Sequence, residues 1–255
     1  MQALTAALLD NYNRPYRKLK KLKGIIIHWT ANEAKGADAI RNRNYFNTKP
    51  FIKDANGNKV TASAHYIVDD HSIVQCVPDD EVAFHVGTKN WSSYKPLALE
   101  IMNHAKPHTE SPNNFLIGIE MCVNADGDFE KTKANTIDLT RYLLQKHNLS
   151  IDQVHRHYDI TGKLCPRMFI DEAKWAGFKN QITGEAPEFS GAEPADPKGI
   201  ITATTLNVRS GPGKEYPVTR KLDKGVSVPL LEKKDGWIRI GDNEWVYADY
   251  VNEIN

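Results

Sequence analysis

The stretch Gly24-Ile25-Ile26-Ile27-His28 is a β-branched run that ends on an imidazole, the pattern of a buried strand delivering one polar side chain at its edge. Downstream, Ala64 to Val68 (A-H-Y-I-V) reads as a second strand. Asp69-Asp70 then supplies a turn into Ser72 to Val77 (S-I-V-Q-C-V), which predicts a hairpin. Phe115 to Val123 (F-L-I-G-I-E-M-C-V) is a third apolar run with one acid in its middle, Glu120. From Thr132 to His147 the residues Ala134, Ile137, Leu139, Tyr142, Leu143 and Leu144 recur at near-helical spacing, so a helix is expected to pack there. Strands interleaved with helices predict an α/β domain, a mixed central sheet flanked by helices.

Farther out, Gln181 to Lys198 holds three prolines, two glycines and four acids with almost nothing to bury, and residues 183–198 read as a linker. It separates a front domain, 1–182, from a tail, 199–255. In the tail Leu206–Arg209, Val226–Val228, Trp237–Ile240 and Glu244–Val246 are short alternating segments between Gly-Pro-Gly, Asp-Gly and Gly-Asp-Asn turns. About five small strands in so short a segment predict a small all-β barrel.

Composition bounds the function. The chain has 255 residues, 40% hydrophobic and 25% charged, which excludes a disordered, collagenous or coiled-coil protein. Lys plus Arg total 33 against 32 Asp plus Glu, too balanced for a protein that grips nucleic-acid phosphates, so no nucleic-acid partner is expected. Three cysteines, Cys76, Cys122 and Cys165, are an odd, irregular set and argue against a disulfide framework. Cys76 and Cys122, in apolar strand contexts, read as inert core residues. Met1 to Asp10 lacks the basic start and apolar run of a signal peptide, and no stretch of about 18 apolar residues occurs, so no membrane insertion is expected. Arg14 to Lys23 carries six basic groups and no acid; a solvated face is the plainer reading and contact with anionic polymers the second.

The densest chemistry lies in His155 to Pro166 (H-R-H-Y-D-I-T-G-K-L-C-P). A cysteine thiolate and a neutral imidazole are good zinc ligands, and the Gly-containing loop between His157 and Cys165 could fold both toward one point. Taken alone, this stretch fits better a turn with solvated histidines and a buried structural cysteine. His28 would supply a third ligand and leave an open position for water, but its proximity is not legible in the sequence.

Four blocks in order, G-I-I-I-H-W-T (24–30), A-H-Y-I-V-D-D (64–70), L-I-G-I-E (116–120) and H-Y-D-I-T-G-K-L-C-P (157–166), make the chain resemble the type 2 N-acetylmuramoyl-L-alanine amidases of phage endolysins and bacterial autolysins. The resemblance covers about 24–178. It implies that His28, His157 and Cys165 bind Zn²⁺; His155 lacks the family's spacing to the cysteine. It also implies that Glu120 is the acid/base, since the tyrosine some relatives carry before the histidine of the second block is here Ala64. A carboxylate in an apolar strand either faces solvent or has a raised pKa useful for accepting a proton from water. Lys163, two residues before Cys165, is implied as an oxyanion stabiliser. His65 and His85 sit in family-like blocks, either lining the cleft or satisfied within the fold.

The tail's L-N-V-R-S-G-P-G (206–213), with Trp237 and W-V-Y-A-D-Y-V (245–251), resembles a bacterial SH3-type domain, which implies tethering to the cell wall. Trp237, Trp245, Tyr247 and Tyr250 are candidates for binding, with core packing the plainer role for most. The expected activity is zinc-dependent cleavage of the amide between N-acetylmuramic acid and L-alanine in bacterial peptidoglycan. A phage or prophage endolysin is expected, made in the cytoplasm without a signal peptide and reaching the wall through a holin-type pore. Two rivals stand beside it: a non-catalytic peptidoglycan-binding protein, disfavoured by the presence of Cys165, and a cytoplasmic muropeptide-recycling amidase, which has no use for a wall-binding tail.

Overall fold

Ile25, Ile26 and Ile27 are wholly inaccessible to solvent because their strand lies inside a sheet covered on both faces. In chain order the first unit of the computed structural model contains β1 (Leu4–Ala6), β2 (Gly24–Trp29), α1 (Ala39–Thr48), the short pair β3 (Ile52–Lys53) and β4 (Lys59–Val60), β5 (Tyr66–Val68) and β6 (Ile73–Gln75). There follow α2 (Pro96–Ile101), β7 (Leu116–Met121), α3 (Phe129–Lys146), β8 (Val154–Arg156), α4 (His157–Thr161) and α5 (Glu172–Thr183). The structure describes residues 4–48, 52–53, 59–88, 90–104, 109–184, 198–241 and 243–254. The chain divides into two compact units, Met1–Ser190 and Gly191–Asn255. Most of the expected linker, 185–197, lies outside the described residues; the helix preceding it runs to Thr183.

The central sheet has the order β1-β6-β5-β7-β2-β8, with only the β5/β6 pair antiparallel, so it is mixed, as expected. Alternation along β2 sends Ile25 and Ile27 to one face, where they pack with Ile117 and Ile119 against Ile137 and Leu143 of α3 and Trp175 and Phe178 of α5. Ile26 points the other way, into a cluster with Ala98 and Ile101 of α2 and Ile160 of α4. Next to it Ile67 and Val74 pack with Ala39 of α1.

The expected hairpin is present and Asp69 makes its turn. Its Oδ1 accepts from the backbone N–H groups of His71 and Ser72 at 2.8 and 2.6 Å, while Oδ2 accepts from Ala39 N–H at 2.8 Å and fastens the start of α1. Helix α3 begins at Phe129, three residues before the apolar stripe, because Asp128 caps it by accepting from Lys131 N–H at 3.2 Å. The basic run 14–23 is not simply a solvated face. Arg14 forms a two-pronged pair with Glu81 (2.8 and 2.9 Å), Lys18 meets Asp80 and Lys20 meets Glu110 (2.5 Å each), and Lys23 Nζ donates to the carbonyl of Ile101 at 2.6 Å.

The second unit is all β, but richer than five strands: β9 (Lys198–Ile201), β10 (Thr205–Arg209), β11 (Val218–Asp223), β12 (Ser227–Pro229), β13 (Glu232–Lys234), β14 (Trp237–Gly241), β15 (Glu244–Tyr247) and β16 (Val251–Ile254). They form two sheets, β11-β10-β15-β14-β13 and β12-β9-β16, and among the described residues no pairing joins them into a closed ring. Both sheets contribute to one core, including Ile201, Val208, Val228, Ile238 and Val246. The additional strands escape a sequence reading because β11 (V-T-R-K-L-D) buries only Leu222 and β13 (E-K-K) buries nothing. Asp235 and Gly236, both at positive φ (48° and 81°), make the two-residue turn between β13 and β14.

Candidate metal centre

β2 and β7 run parallel with His28 directly opposite Glu120, so the imidazole and the carboxylate emerge side by side at the C-terminal ends of two central strands. His157 arrives from the neighbouring edge. β8 pairs with β2 through Ile27 and Arg156, and the next residue, His157, opens α4. That junction is pinned by Arg156. Its guanidinium, 4% exposed, pairs with Asp159 at 2.7 Å and Glu172 at 2.8 Å and donates to the carbonyl of Phe169 at 2.9 Å. Asp159 also accepts from Arg156 N–H at 2.7 Å. Past Gly162, at φ 78°, the chain turns back and Tyr158 N–H donates to the carbonyl of Cys165 at 3.0 Å, returning the thiol beside His157.

The three candidate ligands meet. His157 Nδ1 lies 3.2 Å from His28 Nδ1, and Cys165 Sγ lies 3.5 Å from the same atom. One donor atom from each of the three buried residues falls within 4.8 Å of the others. Zinc–nitrogen bonds of about 2.0–2.1 Å and zinc–sulfur bonds of about 2.3 Å, at tetrahedral angles, separate such donors by about 3.3–3.6 Å, so the set fits a zinc ion. Burial, followed by the neighbouring imidazoles and Lys163, pushes His28 well below the usual imidazole range, and burial followed by the Lys163 charge brings His157 down to about 3. Both rings are therefore neutral and offer lone pairs. Burial, reinforced by Glu120, pushes the Cys165 thiol up to about 12 in the metal-free protein.

Residues 18–168 match the family model described as N-acetylmuramoyl-L-alanine amidase, and residues 204–252 match that of the bacterial SH3 domain. The chain belongs to the N-acetylmuramoyl-L-alanine amidase family. It is 33% identical over 230 residues to a probable N-acetylmuramoyl-L-alanine amidase of Bacillus licheniformis, covering 87% of this chain and 59% of the relative. It is 33% identical over 199 residues to the N-acetylmuramoyl-L-alanine amidase CwlH of Bacillus subtilis, covering 77% and 68%. The solved catalytic domain of XlyA matches with a TM-score of 0.54 at 34% identity, over 71% of this chain and 99% of that one. The chain spans between 42% and 60% of the length of the first three curated relatives.

In this family member Glu120 is half-buried in an otherwise apolar strand, and its Oε2 has neither solvent access nor a hydrogen-bond partner. Burial raises its pKa from 4.5 to about 8, with Lys163 pulling the other way. Lys163 is exposed in the loop between α4 and Cys165, and its charge acts on His28, His157, Cys165 and Glu120. His155 stands outside the cluster. It lies opposite Ile26 on β8, partly buried and held down to about 4 by desolvation, not on a solvated turn. Cys76 and Cys122 are buried free thiols, both raised by desolvation.

Thr30 escaped the sequence reading although it closes the G-I-I-I-H-W-T block. Its Oγ1 is buried without a partner, and with Glu120, Lys35, Arg41 and Tyr45 it lines a cleft of about 550 Å³. The signal was its place two residues after a strand-end histidine, where alternation returns a side chain to the same side. In the tail, a cleft of about 400 Å³ is lined by Asn207, Arg209, Lys214, Trp237, Tyr247 and Tyr250. Trp237 meets Tyr247 edge-on at 5.4 Å and Tyr247 lies 6.1 Å from Tyr250; Trp237 and Trp245 are both buried, while Tyr250 is exposed.

Proposed function

We propose that this chain is a zinc-dependent peptidoglycan hydrolase that cuts the amide between the lactyl group of N-acetylmuramic acid and L-alanine of the stem peptide, with His28, His157 and Cys165 as the zinc ligands. The observation that carries the reading is the convergence of these three donors at the strand end where an unpaired Glu120 oxygen also sits. Zinc held there supplies a Lewis acid that polarises the scissile carbonyl and makes the attacking water more acidic. Glu120 accepts a proton from that water and passes it to the leaving amine, a role suited to a carboxylate whose Oε2 is closed off from solvent and has no hydrogen-bond partner of its own. The Lys163 ammonium, already acting on this cluster through its field, offsets negative charge developing on the carbonyl oxygen.

The domain division at 1–182, 183–198 and 199–255 belongs to the same proposal. The tail carries a core of its own and the aromatic cleft, and it holds the enzyme on the wall. The endolysin reading is supported by likeness to a solved mutant endolysin from Bacillus subtilis, 35% identical over 71% of this chain, and release through a holin-type pore is the route that reading would require. No helix among the described residues is long and apolar enough to cross a membrane. Mass spectrometry of digested walls tests the reaction. New free amino termini on L-alanine together with intact lactyl-bearing glycans are expected; unchanged walls, or cuts within the glycan, would overturn it. Comparing whole walls with soluble muropeptides separates the wall-degrading enzyme from a recycling amidase.

A further inference from the structure

Four imidazoles, three of them buried and His85 partly buried, stand in a row inside the first unit. Ring centroids are 5.6 Å apart from His65 to His85, 5.1 Å from His85 to His28 and 4.9 Å from His28 to His157, each pair edge-on. What each nitrogen faces decides where its hydrogen sits. His85 Nε2 lies 3.1 Å from the carbonyl oxygen of Leu116, which can only accept, so Nε2 carries the hydrogen. In the neutral ring Nδ1 then holds a lone pair, and it lies 3.0 Å from His28 Nε2, which must donate to it. His28 is left with its lone pair on Nδ1, the atom that faces His157 and Cys165.

We propose that His85 is a positioning residue that fixes His28 as the Nε2–H tautomer and aims its Nδ1 lone pair into the metal centre. The consequence for metal affinity rests on the ligand set proposed above; the tautomer itself does not.

The surroundings of His85 are built to hold it. The N–H groups of His85 and Val86 both donate to Asn113 Oδ1, at 3.2 and 2.9 Å. The ring rests on Gly118, where a β-carbon would stand 2.6 Å from both Cγ and Nδ1 of His85. The glycine of L-I-G-I-E thus makes room for the imidazole, a packing reason for a small residue two positions before Glu120. His65 on the far side differs. Its Nδ1 accepts from Gly118 N–H at 3.0 Å and its Nε2 donates to the carbonyl of Glu81 at 2.9 Å, so both nitrogens end on backbone. Of the two histidines the sequence left open, one is satisfied within the fold and the other points at the metal centre.

The test uses the full chain labelled with ¹⁵N-histidine, examined by long-range ¹H–¹⁵N correlation after chelation and again with zinc, plus zinc affinity from chelator competition. His28 should be protonated at Nε2 before any zinc is added. His85→Phe should abolish that preference and weaken zinc binding roughly 10- to 100-fold. His85→Asn, whose amide oxygen can occupy the place of Nδ1, should recover most of the affinity. Should the Phe variant lose the parent's dispersed amide spectrum, the parent tautomer and the Asn variant decide. A parent His28 protonated at Nδ1, or a folded His85→Phe chain that holds zinc as tightly as the parent, would overturn the proposal. A parent with the Nε2–H tautomer that binds no zinc would support the positioning role and overturn the ligand set instead.

Discussion

Two carboxylates in the same domain, Asp79 buried and Glu120 half-buried with one oxygen closed off from solvent, have opposite surroundings. Asp79 accepts from Tyr66 Oη at 2.5 Å and Gln75 Nε2 at 3.2 Å on one oxygen, and from His147 Nε2 at 2.8 Å on the other, with Lys146 Nζ at 3.6 Å. Burial works to raise its pKa, but these bonds outweigh it and hold the carboxyl below its usual 3.8. Glu120 has the burial without the bonds and rises to about 8, its Oε2 unpartnered. The first network ties the end of α3 to the loop after β6 and is complete in itself. The second is costly on its own account and makes sense where a reacting water is to be met.

The largest effect should come from breaking the donor cluster beside Glu120. Chelation of the protein, or Cys165→Ser, should remove about one equivalent of zinc and reduce wall lysis to the background, read by metal analysis and turbidity. Lysis at the parental rate by a chelated, zinc-free chain would end the metal mechanism. Next, Glu120→Gln should keep the zinc and the fold while turnover drops roughly 10²-fold or more. Asp79→Asn should do the reverse: turnover per folded molecule unchanged, and stability lower by about 2–4 kcal/mol because it breaks a satisfied buried network. If both substitutions acted alike on turnover, the contrast between the two carboxylates would collapse.

pH sharpens the same contrast in the metal-free protein. Glu120 has its pKa raised on folding, so its contribution to stability is fully present below about 4.5 and is lost as pH climbs to about 8. The whole loss is at most a few kcal/mol, taking about 1.4 kcal/mol per pH unit. Asp79 has its pKa depressed, so its contribution is present above its unfolded value of 3.8 and is lost as pH falls through and below it. Because the depressed imidazoles of His28, His155 and His157 raise stability as pH climbs toward about 6.5, the Glu120 contribution is read as a difference in urea unfolding of the chelated chains: Glu120→Gln should gain stability relative to the parent as pH climbs from about 4.5 to about 8. A difference that stays constant across that range would assign the pH dependence to other groups.

Much of this is legible in the sequence. The isoleucine run, the Asp69 turn and the apolar stripe of α3 announce themselves because hydrophobic period and turn chemistry act locally. β8 did not, since three residues reading Val-His-Arg have no apolar alternation; the strand exists because Arg156 is neutralised by Asp159 and Glu172, which no local pattern reveals. Helix α1 (A-I-R-N-R-N-Y-F-N-T) hid for a similar reason, held as it is by polar contacts such as Arg43 Nε to the carbonyl of Ala7 at 2.7 Å. The metal ligands come through family resemblance, not spacing, because His28 and Cys165 are 137 residues apart and are brought together by the β2/β8 pairing followed by the turn after α4. Which of His65 and His85 faces the metal centre is not legible at all, because it depends on what each Nδ1 meets, Gly118 N–H for His65 and His28 Nε2 for His85.

The smallest effect on chemistry is expected from the tail, whose described residues hold no buried titratable cluster to set against the metal centre. Its core is purely apolar, and its polar and aromatic groups gather instead around the cleft with Trp237, Tyr247 and Tyr250. Tyr250 is 48% exposed, so its removal costs little packing. Tethering raises the local concentration of enzyme at the wall without altering the catalytic groups. Tyr250→Ala should therefore leave turnover of soluble muropeptides unchanged and weaken co-sedimentation with walls. A chain ended at residue 184, which keeps α5 and its cap, should lose about tenfold or more on intact walls at low enzyme concentration while matching the full chain on soluble substrate. A shortened chain equally active on intact walls, alongside a folded tail that does not co-sediment with them, would remove targeting as the tail's role and leave the catalytic unit self-sufficient.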